Sequence, residues 1–241
     1  MLGAFIPKYS DHRRIKMKNM KKVYIVGTGP GSPRYLTTEA QRVIREADIL
    51  VGWDQNFDPV RSLIVDKKVY LQDVSNYIQV ARQVADEARK SSKTVAVVRI
   101  GDPCISSGLI ELLKVFHDFE IKIIPGISSV QMAAAASGIN LDESVIISFH
   151  ESREELSEKQ RFMLDAFRRN RHLIVLTGQV QKPDETASFL INNGISETTP
   201  TIVCENLTLE DEKIFRGTLR DVTTRQFTWL SVMVIKQGDI S

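Results

Sequence analysis

The chain has 241 residues, 42% hydrophobic and 26% charged, the balance of a globular protein with core enough for one large domain or two smaller ones. Its 32 basic and 30 acidic side chains are interspersed and leave a formal net charge of +2, which argues against a nucleic-acid partner. No apolar run approaches a membrane span, and the distant Cys104 and Cys204 make neither a disulfide framework nor a zinc pattern; the reading is a cytoplasmic protein with reduced thiols, no protein-bound metal and no membrane association.

Residues 1–20 stand apart as a basic extension carrying Lys8, His12, Arg13, Arg14, Lys16 and Lys18, without apolar period. Residues 2–7 are too short for the centre of a secretory signal. Met17 and Met20 lie just before the first strand, so the expectation is a natural start at one of them or a loose basic tail.

A β-branched run at 23–26 then enters Gly27-Thr28-Gly29-Pro30-Gly31, and a helical pattern follows over 36–46. Alternate glycines leave the backbone open to a close-lying ligand, although an ordinary turn reads the same way. The spacing limits the ligand. A dinucleotide fingerprint places its third glycine where this chain has Ser32; Asp54, after the second strand, keeps a nicotinamide reading open. A phosphate loop ends Gly-Lys-Ser/Thr where this chain has Ser32-Pro33-Arg34, and Pro30 lacks an N–H that a phosphate cradle would use.

The alternation continues with a strand at 48–52, helical spacing of Tyr77, Val80, Ala81, Val84 and Ala88, a buried strand at 94–98, a helix at 105–116, a strand at 121–124 and an alanine-rich helix at 128–137. Such alternation implies a mainly parallel sheet with helices on its faces. Beyond residue 140 come a strand at 144–148, a charged helix at 154–169, a strand at 172–176 and a helix at 184–193 ended by Gly194. Strand signals at 201–205, 213–216 and 229–235 then follow without long helices, as in a mixed sheet. The expected architecture is two α/β domains, 21–140 and 141–241.

Three more loops follow strands: Gly101-Asp102-Pro103, Pro125-Gly126-Ile127-Ser128-Ser129, and Leu176-Thr177-Gly178. Each alone is an ordinary turn, and Ser-Ser is a helix cap. Four loops at carboxyl ends of strands, where open α/β sheets hold ligands, point to one shared site.

Taken in order, Gly27-Thr28-Gly29-Pro30-Gly31 with Leu36-Thr37, Gly101-Asp102-Pro103 and Pro125-Gly126-Ile127-Ser128-Ser129 resemble the tetrapyrrole (corrin/porphyrin) methylases, over about residues 22–237. The run PGISSVQMAAAASG at 125–138, Ile147-Ser148-Phe149-His150, Leu176-Thr177 with Pro183 after it, and Phe227-Thr228-Trp229-Leu230-Ser231-Val232 resemble the branch that methylates C5 of cobalt-precorrin-7 in cobalamin biosynthesis. Two departures touch the substrate side. His150-Glu151-Ser152-Arg153 stands for the usual His-Gly-Arg, and Cys104-Ile105-Ser106-Ser107-Gly108 for a continuation that opens on an aromatic.

The resemblance implies a ligand trough between the two domains, with S-adenosylmethionine as methyl donor. Pro30 would line its floor; Gly101, Asp102, Ile105, Ser128 and Ser129 would contact the donor, joined by Thr177, Leu207 and Trp229 from the carboxyl-terminal domain. It also implies a corrinoid tetrapyrrole substrate and a homodimer. The fused bacterial form carries a second unit that methylates C15 with decarboxylation; this chain has no room for one, so a separate enzyme would act next at C15. Methyl transfer from a sulfonium is a direct displacement from an activated leaving group, which asks for alignment and exclusion of water rather than a base, and no catalytic residue is assigned. Arg34, Arg99 and Arg153 lie in or beside the loops and would meet ring carboxylates, the plain alternative being solvated arginines. His150 would handle a proton or a carboxylate, or is a strand-end histidine with a local hydrogen bond. A sister activity at another ring carbon, a diphthine synthase, and a non-catalytic nucleotide-binding regulator are the alternative readings.

Overall fold

The computed structural model describes residues 21–106, 108–150, 155–228 and 231–238; the basic extension, Arg153 and Trp229 lie outside them. The first sheet has the order β3-β2-β4-β1-β5, with β1 Lys22–Gly27, β2 Ile49–Gly52, β3 Lys68–Leu71, β4 Val95–Arg99 and β5 Glu120–Ile124. All its pairings are parallel. Helices α1 Thr38–Glu46, α2 Tyr77–Lys90 and α3 Leu109–Val115 lie between successive strands. The strands are apolar almost throughout because both faces are covered. Val23, Ile25, Val51, Val95 and Val97 pack against α2 and α3, while Val26, Leu50, Ala96 and Val98 pack against Ala40, Val43 and Ile44 of α1. Because β1 lies between β4 and β5, the loops that leave these three strands at their carboxyl ends must crowd together.

The second sheet has the order β6-β7-β10-β8-β9, with β6 Ser144–Ser148, β7 His172–Leu176, β8 Pro200–Glu205, β9 Lys213–Thr218 and β10 Ser231–Ile235. Only β6 and β7 pair in parallel; the other pairings are antiparallel, so the sheet is mixed, as expected. One face is covered by α5 Leu156–Arg168, α6 Pro183–Asn192 and α7 Leu219–Thr223, through Met163, Phe167, Leu190 and Val222. The other face receives α4 Ser129–Ser137, the helix that leaves the first sheet after β5.

That helix joins the two halves. It starts with a reciprocal capping box between Ser128 and Gln131 and stops at Gly138 in the left-handed region, φ 62°. Its alanines allow a close approach: Val130, Ala133 and Ala134 pack on Ile174, Leu176, Ile202, Val232 and Val234. Arg216 of β9 adds a hydrogen bond from Nη2 to the Ala136 carbonyl at 2.6 Å.

Local differences from expectation have physical causes. β3 has four residues, begins on an exposed lysine and lies at the sheet edge, so it lacks a buried-strand pattern. Helix α3 starts only at Leu109, because Ser106 (φ 48°) and Gly108 (φ 66°) adopt left-handed backbone ahead of it. Residues Asp54–Leu63 form a 3-10 helix around Pro59. Among the described residues, no helix is long and apolar enough to cross a membrane.

Candidate functional site

Three loops of the first sheet interlock. Gly29 and Gly101 exchange backbone hydrogen bonds, Gly101 N–H to Gly29 O at 2.7 Å and Gly29 N–H to Gly101 O at 3.3 Å. Thr28 donates its N–H to Arg99 O at 2.8 Å. The approach leaves no room for side chains: a Cβ at Gly126 would lie 2.1 Å from Gly101 O, and one at Gly27 would lie 2.5 Å from that oxygen and 2.7 Å from Gly126 N. These two glycines thus admit the neighbouring loops rather than a ligand, a finer assignment than sequence allowed.

Asp102 is the hinge pin of this arrangement. Its Oδ1 accepts the Cys104 N–H at 2.7 Å and its Oδ2 accepts the Gly126 N–H at 3.0 Å, tying the loop after β4 to the loop after β5. A carboxylate offers about four acceptor positions, so capacity remains for a ligand hydroxyl or ammonium. Ser128 is buried and its hydroxyl is occupied by the cap with Gln131; Ser129 opens the helix beside it.

The second half closes over these loops. Thr208 Oγ1 accepts the Ser32 N–H at 3.1 Å, and a Cβ at Gly31 would fall 2.8 Å from Leu209 Cδ2. Pro30 therefore sits between Gly29, bonded to Gly101, and Gly31, against which Leu209 packs. Ile105 packs against the cluster that holds Leu207, so two expected donor contacts from different halves meet. Thr208 and Leu209 were missed by sequence reasoning. They follow the carboxyl end of β8, as the other loops follow their strands, but no glycine or proline marks that loop. Thr208→Val keeps the shape and removes the acceptor; it is expected to lower stability by about 1 kcal/mol, the net worth of one hydrogen bond, read by denaturant unfolding.

Thr177 is buried, with its hydroxyl donating to Ser231 O at 2.8 Å and accepting the Ser231 N–H at 3.2 Å, which pins the end of β7 to the start of β10. His150 lies alongside: a Cβ at Gly178 would meet Phe149 O at 2.4 Å and His150 Cα at 3.4 Å. His150 itself is exposed, and its N–H donates to Ser148 Oγ at 3.3 Å. Arg34 is exposed on a short turn, Pro33–Tyr35. Arg99, by contrast, is buried, and burial draws its guanidinium down to about 10.

The thiols are poor nucleophiles. Desolvation and then the adjoining Asp102 charge push Cys104 up, and burial takes Cys204 to about 11. What the site does offer is one carboxylate, bare backbone at glycines and an apolar wall from Ile105 and Leu207. That set fits an adenosyl amino acid, with its ribose hydroxyls, ammonium and the aliphatic groups around its cationic sulfonium, better than it fits a polyphosphate.

Comparison with known proteins gives the same family for nearly the whole chain. Residues 22–223 match the tetrapyrrole (corrin/porphyrin) methylases. The probable cobalt-precorrin-7 C(5)-methyltransferase of Methanocaldococcus jannaschii is 36% identical over 90% of this chain and 98% of its own. The cobalt-precorrin-4 C(11)-methyltransferase of the same organism is 30% identical over 87% of this chain and 83% of its own. Among solved structures, the cobalamin-biosynthesis precorrin-6Y methylase (cbiE) of Archaeoglobus fulgidus superimposes with a TM-score of 0.67 at 25% identity, covering 90% of this chain and 99% of its own.

Proposed function

This chain belongs to the tetrapyrrole (corrin/porphyrin) methylases, and from that premise we propose that it transfers the methyl group of S-adenosylmethionine to C5 of cobalt-precorrin-7 in cobalamin biosynthesis. The observation that carries the choice of ring carbon is the relative named a probable cobalt-precorrin-7 C(5)-methyltransferase, 36% identical and matched over 98% of its length. The residues that resemble the C5 branch support it: the 125–138 run, His150 at a strand end and the 227–232 ending.

When bound, the donor supplies a methyl group on a sulfonium, a leaving group that needs no further activation. The chain's part is placement. Asp102 and the Gly29–Gly101 backbone hold the polar end, Ser128 and Ser129 mark the start of α4 beside it, and Ile105 with Leu207 excludes water from the reacting methyl. The ring's electron-rich C5 is the nucleophile, so no residue has to generate one. Thr177 and Trp229 complete the donor contacts from the second half, Arg34, Arg153 and His150 face the substrate's carboxylates, and the working unit is a cytoplasmic homodimer. A separate enzyme then acts at C15.

The test is the position of label. Protein supplied with methyl-labelled donor and an anaerobically prepared precorrin-7 pool is expected to place one labelled carbon at C5, with one methyl mass gained and the acetate carboxyl retained. Label at C11, C17 or C1, or methylation of a protein substrate, would reassign the chain to a sister activity. Calorimetry should show binding of the donor and of S-adenosylhomocysteine, and none of NAD or ATP; no methyl consumption with any ring would leave the regulator reading.

A further inference from the structure

Arg99 ends β4 with only 5% of its surface exposed, and nothing in the donor site uses its guanidinium. A buried cation is costly unless an anion compensates it. Here none does. Nε has no hydrogen-bond partner, and among the described residues no acidic side chain forms an ion pair with Arg99. Its neighbours are neutral: the Gln72 amide, whose oxygen accepts from both Nη2, at 3.3 Å, and Nη1 once the amide is turned to face the guanidinium, and the Tyr77 ring, whose centroid lies 5.9 Å from the guanidinium carbon.

The contacts of the side chain separate it from the donor loops. Those loops leave β1, β4 and β5, whereas Gln72 follows β3, on the far side of β2 from β4. Gly52 pairs with Leu71 and Val51 with Val97, so Trp53, Gln72 and Arg99 continue one row across the carboxyl edge of the sheet. That edge exposes large apolar side chains, Trp53, Leu71, Val74 and Ile100, alongside the carboxylates of Asp54, which pairs with Arg61, and Asp73.

We propose that Arg99 and Gln72 form a receptor for one peripheral carboxylate of a flat conjugated ring, and that Trp53, Leu71, Val74 and Ile100 are the platform on which the ring lies. The proposal rests on the tetrapyrrole reading and adds to it which edge takes the ring. A guanidinium with an open N–H suits a carboxylate, and an apolar ledge beside it suits the face of a macrocycle whose charge is confined to its rim. The carboxylate is assigned to the ring rather than to the donor's amino acid because the guanidinium's neighbours, Gln72 and Tyr77, belong to the end of β3 and the start of α2 and not to the loops of Gly29, Asp102 and Gly126.

The experiment measures binding of uroporphyrin III and of its octamethyl ester by fluorescence anisotropy, and of S-adenosylhomocysteine by calorimetry, for wild type, Arg99→Met, Arg99→Lys and Gln72→Leu. Wild type should prefer the octa-acid. Arg99→Met should weaken octa-acid binding about tenfold, the scale of one charge-assisted hydrogen bond, with ester and S-adenosylhomocysteine binding unchanged. Arg99→Lys should recover part of the loss. Gln72→Leu should reproduce part of it without removing the charge, and so tests the receptor even if the arginine variants unfold. Equal octa-acid binding by wild type and Arg99→Met would overturn the receptor alone, as would a loss confined to S-adenosylhomocysteine. A wild type that binds neither porphyrin would remove the ring reading together with the receptor.

Discussion

Gly126→Ala is expected to destabilise the protein by about 3 kcal/mol or more and to abolish donor binding, the upper end of what overpacking a rigid interior costs. The added Cβ would lie 2.1 Å from Gly101 O and 2.9 Å from the Gly27 carbonyl carbon. These are backbone atoms, so no rotamer change relieves the clash; the loop after β5 must separate from the loops after β1 and β4. Separation breaks the Gly126 N–H bond to Asp102 and displaces Ser128, the cap of the helix that joins the halves. For a domain of this size the thermal midpoint should fall by roughly 6–12 °C. Gly194→Ala is the control. Gly194 has φ 86° but nothing within 4 Å of its added Cβ, so the cost is backbone conformation alone, about 1–2 kcal/mol, with donor binding intact. Equal effects of the two substitutions on S-adenosylhomocysteine affinity would show that the interlock does not matter to the site.

How far this site was legible follows from which signals are local. Loops after β1, β4, β5 and β7 announce themselves by glycine and proline directly behind a β-branched run, and α4 by Ser128, Gln131 and Gly138 at capping positions. β3 gave no such signal, since an edge strand of four residues, exposed at both ends and only half-buried between, carries neither a continuous apolar run nor a clean alternation. Residues 105–108 keep an apolar spacing that continues into α3, yet Gly108 marks the start of that helix and not its interior, which only its left-handed φ of 66° reveals.

Relations between the halves were the least legible. Ser32 and Thr208 meet across 176 positions of sequence, and neither residue type announces a partner at that distance. The same holds for the purpose of the glycines. Their spacing read equally as room for a ligand or as a turn, and only the packing of three parallel strands in the order β4-β1-β5 shows that Gly27 and Gly126 are needed for loop-on-loop contact. On the proposed reading, the donor instead meets what those contacts leave uncovered: the Asp102 carboxylate, the edge of Pro30 and the wall formed by Ile105 and Leu207. Arg99 shows the converse. Sequence placed it beside a loop as a cation for ring carboxylates or a solvated arginine, and the fold buries it with no acidic partner among the described residues.

Asp102→Ala is expected to lose both roles of the carboxylate, and the two can be separated. Structurally, the side chain accepts two backbone N–H groups, from Cys104 and Gly126, and bonds to a charged acceptor are worth about 1.5–3 kcal/mol each before relaxation. Asp102 is only half-buried, so water can satisfy part of what is lost; a net destabilisation of about 2 kcal/mol is expected in thermal or denaturant unfolding. Functionally, the carboxylate is the only acid in the loops after β1, β4 and β5, and its removal should weaken binding of S-adenosylhomocysteine about tenfold or more, again the scale of one charge-assisted bond. Asp102→Asn divides the two roles. Its carbonyl can accept one of the N–H groups, recovering part of the stability, but its amide group turns an acceptor into a donor and removes the charge, so donor affinity should stay low. If the asparagine variant binds S-adenosylhomocysteine as wild type does, the carboxylate's charge is irrelevant to the donor. If the alanine variant remains folded with unchanged affinity, Asp102 is a loop tie and the donor's polar end must be held by the backbone of Gly29 and Gly101 instead.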